Sequence, residues 1–308
     1  IGDLMRAAQA GGYAIGYFES WNLESLQGAL DAAEQTRSPI ILGFNGDFLS
    51  GPDRQTRERL PLYAALGRAA AETASVPCGL IFNECPRDEW VRDAIALGFN
   101  LVMPADPAAP IAEYTRRVET LTRLAHQRGV GVEAELGELP CGLPAVAPAL
   151  RNQKSKIKNQ KSKLTDPDQA AAFVAATGVD VLAVSAGNVH IKLKGEQALD
   201  LERLRAIRKR VSIPLALHGG TGIPADSLRE AIKLGVTKVN YGTYLKQRYL
   251  LAIRAALNRD EVNPHELLGI GGKRDLMVAG RRAVCKAILE RIKILGCCGK
   301  GYQPEMKS

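Results

Sequence analysis

Eight short apolar runs recur along the chain. They are AIGYF (14–18), PIILGF (39–44), CGLIFN (78–83), LVMPA (101–105), GVEAEL (131–136), VLAVSA (181–186), PLALHG (214–219) and KVNYG (238–242). Most are continuously apolar over strand length, as parallel strands buried on both faces are. Between them lie stretches with apolar residues every three or four positions. Examples are LESLQGALDAAEQ (23–35), WVRDAIALG (90–98), YTRRVETLTRLAHQRG (114–129), LERLRAIRKR (201–210) and PADSLREAIKLG (224–235). Several end in glycine or run into proline, and Asp88 and Asp226 stand near helix starts. Strands alternating with helices in this number predict an α/β fold, a single-domain (β/α)8 TIM barrel over residues 1–308. An open doubly wound sheet would carry a glycine fingerprint after its first strand, and GYFESWN (16–22) has none.

Barrels of this kind keep their chemistry at the C-terminal ends of the strands. The eight predicted ends carry a dense polar ring: Glu19; Asn45 and Asp47; Asn83 and Glu84; Asp106; Glu133 and Glu135; Asn188 and His190; His218; and Asn240 with Gly242 and Thr243. Two of the four histidines fall in that ring, whereas His126 and His265 read as surface or packing residues. The stretch HGGTG (218–222) before a helix suits an anion, because glycines let backbone N–H groups approach and a helix N-terminus favours negative charge. Gly219, Gly220 and Thr221, with Asn240, Gly242 and Thr243, are therefore the candidate phosphate-binding residues. A tight strand-to-helix turn with no ligand is the plainer reading of the glycines. His190 and His218 both suit the barrel axis, and imidazole is a common ligand of zinc-like ions. With Glu84 as the third donor they form a two-histidine, one-carboxylate set able to polarise a carbonyl. Hydrogen-bonded site histidines without metal are the alternative.

Charge changes this picture little. The formal net charge is +8, but residues 151–163 (RNQKSKIKNQKSK) hold six lysines and arginines and no acid, and leaving them out takes the charge to +2. The segment repeats NQKSK at 152–156 and 159–163. It offers little apolar area to offset ordering entropy, so 151–165 is expected to be a lysine-rich, low-complexity, disordered insert after the fifth strand. No aromatic residues interleave its lysines, so no nucleic-acid partner is expected. No apolar run approaches the roughly 18 residues of a membrane span, and residues 1–12 lack a secretory leader's apolar core. The six cysteines form no C-x-x-C pair, which points to free thiols and a cytoplasmic protein, with Cys297-Cys298 in an ordinary tail.

Six blocks together carry a family resemblance: GGYAIGYFESWNLES (11–25), SPIIL (38–42), VEAELGEL (132–139), ATGVDVLAVSAGNVHIKLKGEQALDLERL (176–204), PLALHGGTGIP (214–224) and AIKLGVTKVNYGTYLK (231–246). The chain resembles the class II, metal-dependent ketose-bisphosphate aldolases, the fructose- and tagatose-bisphosphate aldolase family, as a divergent member. The resemblance implies a lyase of carbohydrate metabolism that makes or breaks a C–C bond in a phosphorylated ketose. Fructose bisphosphate, tagatose bisphosphate and dihydroxyacetone phosphate are the implied ligands, and a homodimer or homotetramer the implied assembly. It implies a divalent metal, zinc in the family, with Mn²⁺ or Fe²⁺ also suited to a site containing Glu84. His190 and His218 match two of the family's three metal histidines, and the phosphate stretches match Gly219, Gly220, Thr221, Asn240 and Thr243.

The departures cluster. The family's third strand reads like H-L-D-H, where this chain has Ile81, Phe82, Asn83 and Glu84. Asn83 thus stands where the family keeps its catalytic acid, and Glu84 where it keeps a metal histidine. Glu19 replaces a substrate-facing Asn, and Asp106 lies one position from the family's Asp. The loop after the fifth strand, which in the family supplies an acidic base, has no acid between Glu138 and Asp166. Asn83 and Glu135 are the candidate catalytic residues. A non-catalytic sugar-phosphate binder, and an isomerase or epimerase using Glu19, Glu84 or Glu135 as base, are the rival functions. Schiff-base chemistry is not expected, because Lys238 opens the eighth predicted strand instead of ending one.

Overall fold

The computed structural model describes residues 1–52, 54–137, 164–189, 195–257 and 263–301. Eight parallel strands close into one barrel in sequence order. They are β1 (Ile15–Glu19), β2 (Ile40–Asn45), β3 (Cys78–Cys85), β4 (Leu101–Pro104), β5 (Gly131–Leu136), β6 (Val181–Val184), β7 (Leu215–Leu217) and β8 (Val236–Tyr241), with β8 paired back to β1. The predicted (β/α)8 architecture is therefore correct. Two strand ends differ from expectation in ways that matter. β7 stops at Leu217, so His218 stands just beyond it, and β8 starts at Val236, so Lys238 is its third residue.

The described helices are α1 (Gly2–Gly11), α2 (Leu23–Thr36), α3 (Gly46–Ser50), α4 (Leu60–Thr73), α5 (Asp88–Ala96), α6 (Ile111–His126), α7 (Pro167–Thr177), α8 (Leu201–Arg210), α9 (Ala225–Lys233), α10 (Thr243–Leu257), α11 (Pro264–Leu267) and α12 (Leu276–Leu295). Each of the five amphipathic stretches falls on a helix. Asn22 caps α2: its Oδ1 accepts from Ser25 N at 3.0 Å, and its own N–H donates to Ser25 Oγ at 3.1 Å.

The C-terminal segment is structural. α12 packs on α2 and α10, Gly301 N donates to Arg37 O at 2.7 Å, and Cys297 is fully buried. Cys297-Cys298 is therefore half core and half surface, because the chain after α12 folds back under α2. A Cβ on Gly28 would lie 2.6 Å from the Arg281 carbonyl oxygen, so α2 and α12 approach backbone to backbone there. Gly28→Ala is expected to destabilise the protein by about 1–3 kcal/mol through overpacking. The shift of the urea midpoint measures it.

Residues 138–163, most of the lysine-rich insert, lie outside the described residues, as does Cys141. Thr165, the last residue assigned to the insert, is in the barrel wall. It is buried, its N–H donates to Ser185 O at 2.9 Å, and its hydroxyl donates to Leu136 O at 2.5 Å. It ties β5 to the segment after β6.

In such a barrel neighbouring strands stagger by about one residue, and inward side chains stack in layers of four from alternate strands. With the observed registers, Glu19, Asn83, Glu135 and His218 form the uppermost odd-strand layer, above Tyr17, Ile81, Glu133 and Ala216. Between these two layers the even strands contribute Gly43, Met103, Ala183 and Asn240, with Lys238 one layer lower.

Candidate active site

His218 is the centre of the site. It is 1 % exposed and both ring nitrogens face carboxylates. Nε2 lies 2.9 Å from Glu133 Oε1, while Nδ1 lies 2.8 Å from Glu135 Oε2 and 3.2 Å from Glu84 Oε1. Burial opposes a charge on the ring, but Glu135, Glu133 and Glu84 outweigh it and hold the pKa well above the usual histidine value. Asn188 steadies this corner: its Nδ2 donates to His218 O at 3.0 Å, and its Oδ1 accepts from Ala186 N at 2.8 Å.

Glu84 reaches this point through a break in its strand. Simple alternation would turn Asn83 inward and Glu84 outward. The β3–β4 register shifts between Phe82 and Cys85, and Glu84 adopts φ 52, one of only two described non-glycine residues with positive φ. Such a conformation costs on the order of 1–3 kcal/mol and tends to occur where function needs it. Here it sends both side chains toward the mouth. Asn45, which caps α3 through its Oδ1, uses its Nδ2 to donate to Glu84 Oε2 at 2.9 Å. Asn83 is buried, and its Oδ1 has no hydrogen-bond partner among the described residues.

The candidate phosphate residues lie beside His218. Gly219 takes φ 67, a left-handed conformation that suits glycine, and Gly220–Gly222 form one 3-10 turn ahead of α9. Gly220 also has no room for a side chain, since a Cβ would lie 2.6 Å from Val239 Cγ1 and 2.8 Å from the Tyr241 ring. Asn240 ends inside the barrel, Gly242 follows β8, and Thr243 opens α10, so two helical N-termini border one corner. Glu19 is committed elsewhere: it pairs with Lys246, whose ammonium sits 4.2 Å from the Phe48 ring centroid.

His190 lies outside the described residues. Among the described residues no set of three or more His, Cys, Asp or Glu side chains is arranged to hold a metal ion. The donor chemistry nevertheless fits one. His218 turns Nδ1 toward two carboxylates, and Nε2 is anchored by a third, the arrangement that orients metal-ligating imidazoles.

The family model described as Fructose-bisphosphate aldolase class-II matches residues 1–300. This chain belongs to the class II fructose-bisphosphate aldolase family. A fructose-bisphosphate aldolase of Geobacillus stearothermophilus is 31% identical over 304 residues, covering 98% of each chain. The Escherichia coli K12 protein described as uncharacterized protein YdjI is 34% identical over 289 residues, covering 94% of each. The crystal structure of the Escherichia coli K12 YdjI aldolase superposes with a TM-score of 0.77 at 30% identity, covering 98% of both chains.

Family membership supports aldolase-type C–C lyase chemistry on a phosphorylated sugar. Against that background, the sequence reading leaves Glu133 and Glu135 sharing one role, as a supporting or proton-handling carboxylate, and gives Lys238 no place in the site. Lys238 is in fact fully buried, and its Nζ lies 2.8 Å from Glu133 Oε2. The signal was available: in a strand, residues two apart share a face, so an inward Asn240 requires an inward Lys238, and an inward Glu135 an inward Glu133. Lys238 meets Glu133 and Asn240 from mid-strand.

Proposed function

We propose that this chain is a divergent class II aldolase that cleaves or forms a C–C bond in a phosphorylated ketose, with a divalent metal at Glu84, His190 and His218. The observation that carries the reading is His218 itself, clamped on Nε2 by Glu133, turned on Nδ1 toward Glu84 and Glu135, and followed directly by the glycine-rich turn. A divalent ion there, zinc or, with a carboxylate donor, Mn²⁺ or Fe²⁺, supplies Lewis acidity at the ketose carbonyl.

The chain's own groups do the rest. Gly219, Gly220, Thr221, Gly242 and Thr243 hold the phosphate, and Asn240 donates to a substrate oxygen. Cleavage takes a proton from the C4 hydroxyl, breaks the C3–C4 bond to release an aldehyde, and returns a proton to the carbon of the ketone fragment. We assign that proton to Glu135, and its partial exposure and its level with His218 support the assignment. Asn83 binds the oxygen that leaves with the aldehyde but exchanges no proton.

Purified protein is expected to contain a divalent metal by elemental analysis. It is also expected to cleave fructose or tagatose bisphosphate when Zn²⁺, Mn²⁺ or Fe²⁺ is supplied. Absence of both metal and cleavage overturns the reading. The amide at position 83 favours one rival, a sugar-phosphate binder without chemistry. Binding of dihydroxyacetone phosphate with no cleavage under any of these metals selects it. Assembly as a homodimer or homotetramer is part of the proposal, supported by exposed Leu250, Leu251 and Leu257 on α10 and Leu268 and Ile270 beyond it. Among the described residues no helix is long and apolar enough to cross a membrane.

A further inference from the structure

Lys238 places a whole ammonium group inside the barrel. Its Nζ lies 2.8 Å from Glu133 Oε2 and 3.1 Å from Glu133 Oε1, donates to Asn240 Oδ1 at 2.5 Å, and stands 5.1 Å from the Tyr17 ring centroid. Lys238 and Glu133 are both 0 % exposed. A buried ion pair is a weak source of net stability, since apolar residues of similar volume do as well. Its presence calls for a reason other than stability.

The reason lies in what an ammonium cannot do. It has three donors and no acceptor. An asparagine beside it must therefore present its oxygen, which turns the amide nitrogen the other way. That is the arrangement at Asn240, which is 7 % exposed. Its Oδ1 meets Lys238, and its Nδ2 finds no partner among the described residues. Asn240 occupies the layer directly beneath His218 and Glu135, two residues before the Gly242-Thr243 start of α10. The same Glu133 that holds Lys238 also meets His218 Nε2. One ion pair thus orients a group on each of two neighbouring strands.

We propose that Lys238 is a positioning residue that fixes the Asn240 amide with its nitrogen toward the bound phosphorylated ketose, as a donor to a phosphate or hydroxyl oxygen. Glu133 holds Lys238 in place for this purpose. The proposal rests on the sugar-phosphate reading of the site but not on C–C cleavage. A neutral residue at 238 frees the amide to turn over and present an acceptor where the ligand needs a donor.

The test is titration of dihydroxyacetone phosphate into the full chain, with calorimetry for affinity and the Asn240 side-chain ¹⁵N resonance as a local reporter. Lys238→Met and Asn240→Leu are each expected to weaken binding by about tenfold or more, the loss of one hydrogen bond to a charged ligand. The double variant is expected to bind no worse than Asn240→Leu alone, because Lys238 acts only through Asn240. In the wild-type protein the Asn240 side-chain resonance shifts on ligand addition. Should Lys238→Met fail to fold, Lys238→Gln with Glu133→Gln leaves no unpaired buried charge and is compared in the same two backgrounds. Additive losses, an Asn240 resonance blind to ligand, or a wild-type protein that binds no dihydroxyacetone phosphate each overturn the proposal. Binding with the expected pattern but without cleavage overturns the aldolase reading and leaves this one standing.

Discussion

Glu133→Leu is expected to lower the stability of the protein by about 3–5 kcal/mol, the usual cost of removing one partner of a buried ion pair. The leucine fills similar space, so the effect is electrostatic. Glu133 lies within hydrogen-bond distance of both the Lys238 ammonium and His218 Nε2, and all three side chains are at most 1 % exposed. Burial disfavours the Glu133 anion, but Lys238 and His218 together overcome it and pull its pKa below the usual carboxylate value. Burial likewise draws the Lys238 pKa down, with Glu133 opposing it. Without Glu133, Lys238 must give up its proton or remain charged in an apolar barrel centre. Urea denaturation measures the loss, and Lys238→Met added to Glu133→Leu is expected to recover much of it, since no charge is then stranded. A loss below about 1 kcal/mol in Glu133→Leu alone would show that the ammonium has another counterion.

The second large effect is a gain. Asn83→Asp combined with Glu84→His is expected to raise ketose-bisphosphate cleavage by about 10²–10⁴-fold, the usual contribution of one positioned proton donor. Asn83 already sits in the uppermost interior layer with Glu135 and His218, so an aspartate enters an existing place. Position 84 asks more of its residue, because φ is 52 there. Histidine is among the residues that tolerate that region better than most. Steady-state cleavage of fructose and tagatose bisphosphates reads the result. A rise confined to the double variant means that this corner alone limits the reaction. No rise means that this corner is not what limits cleavage of those two substrates.

Both predictions concern residues whose importance was unevenly legible. The strand count, the helices between strands and the polar ring followed from periodicity, because burial on both faces of a parallel sheet leaves an unmistakable apolar run. His218, Glu135, Asn240 and the 219–222 turn were read as site residues because they fall at strand ends, where barrel chemistry sits. Lys238 is hidden from such a reading by its distance from a strand end. Height in the barrel depends on strand tilt as well as on sequence position, and a lysine's long stem carries its charge upward from mid-strand. α12 and the buried Cys297 were passed over, since nothing local distinguishes a helix that closes a barrel from a tail.

By itself the sequence determined the fold class, the order of strands and helices, and the family, and it put Asn83 and Glu84 at the end of the third strand. All of these are local or alignable properties of residue type and spacing. Only the tertiary structure decided that Glu84 turns into the mouth through a strand irregularity, that Glu133 takes His218 Nε2 so that Nδ1 faces Glu84 and Glu135, and that Lys238 dictates which end of the Asn240 amide is offered upward. The physical reason is common to the three. Each depends on which side chains of neighbouring layers meet inside the closed barrel, and that is set by register, stagger and one strand irregularity around the ring.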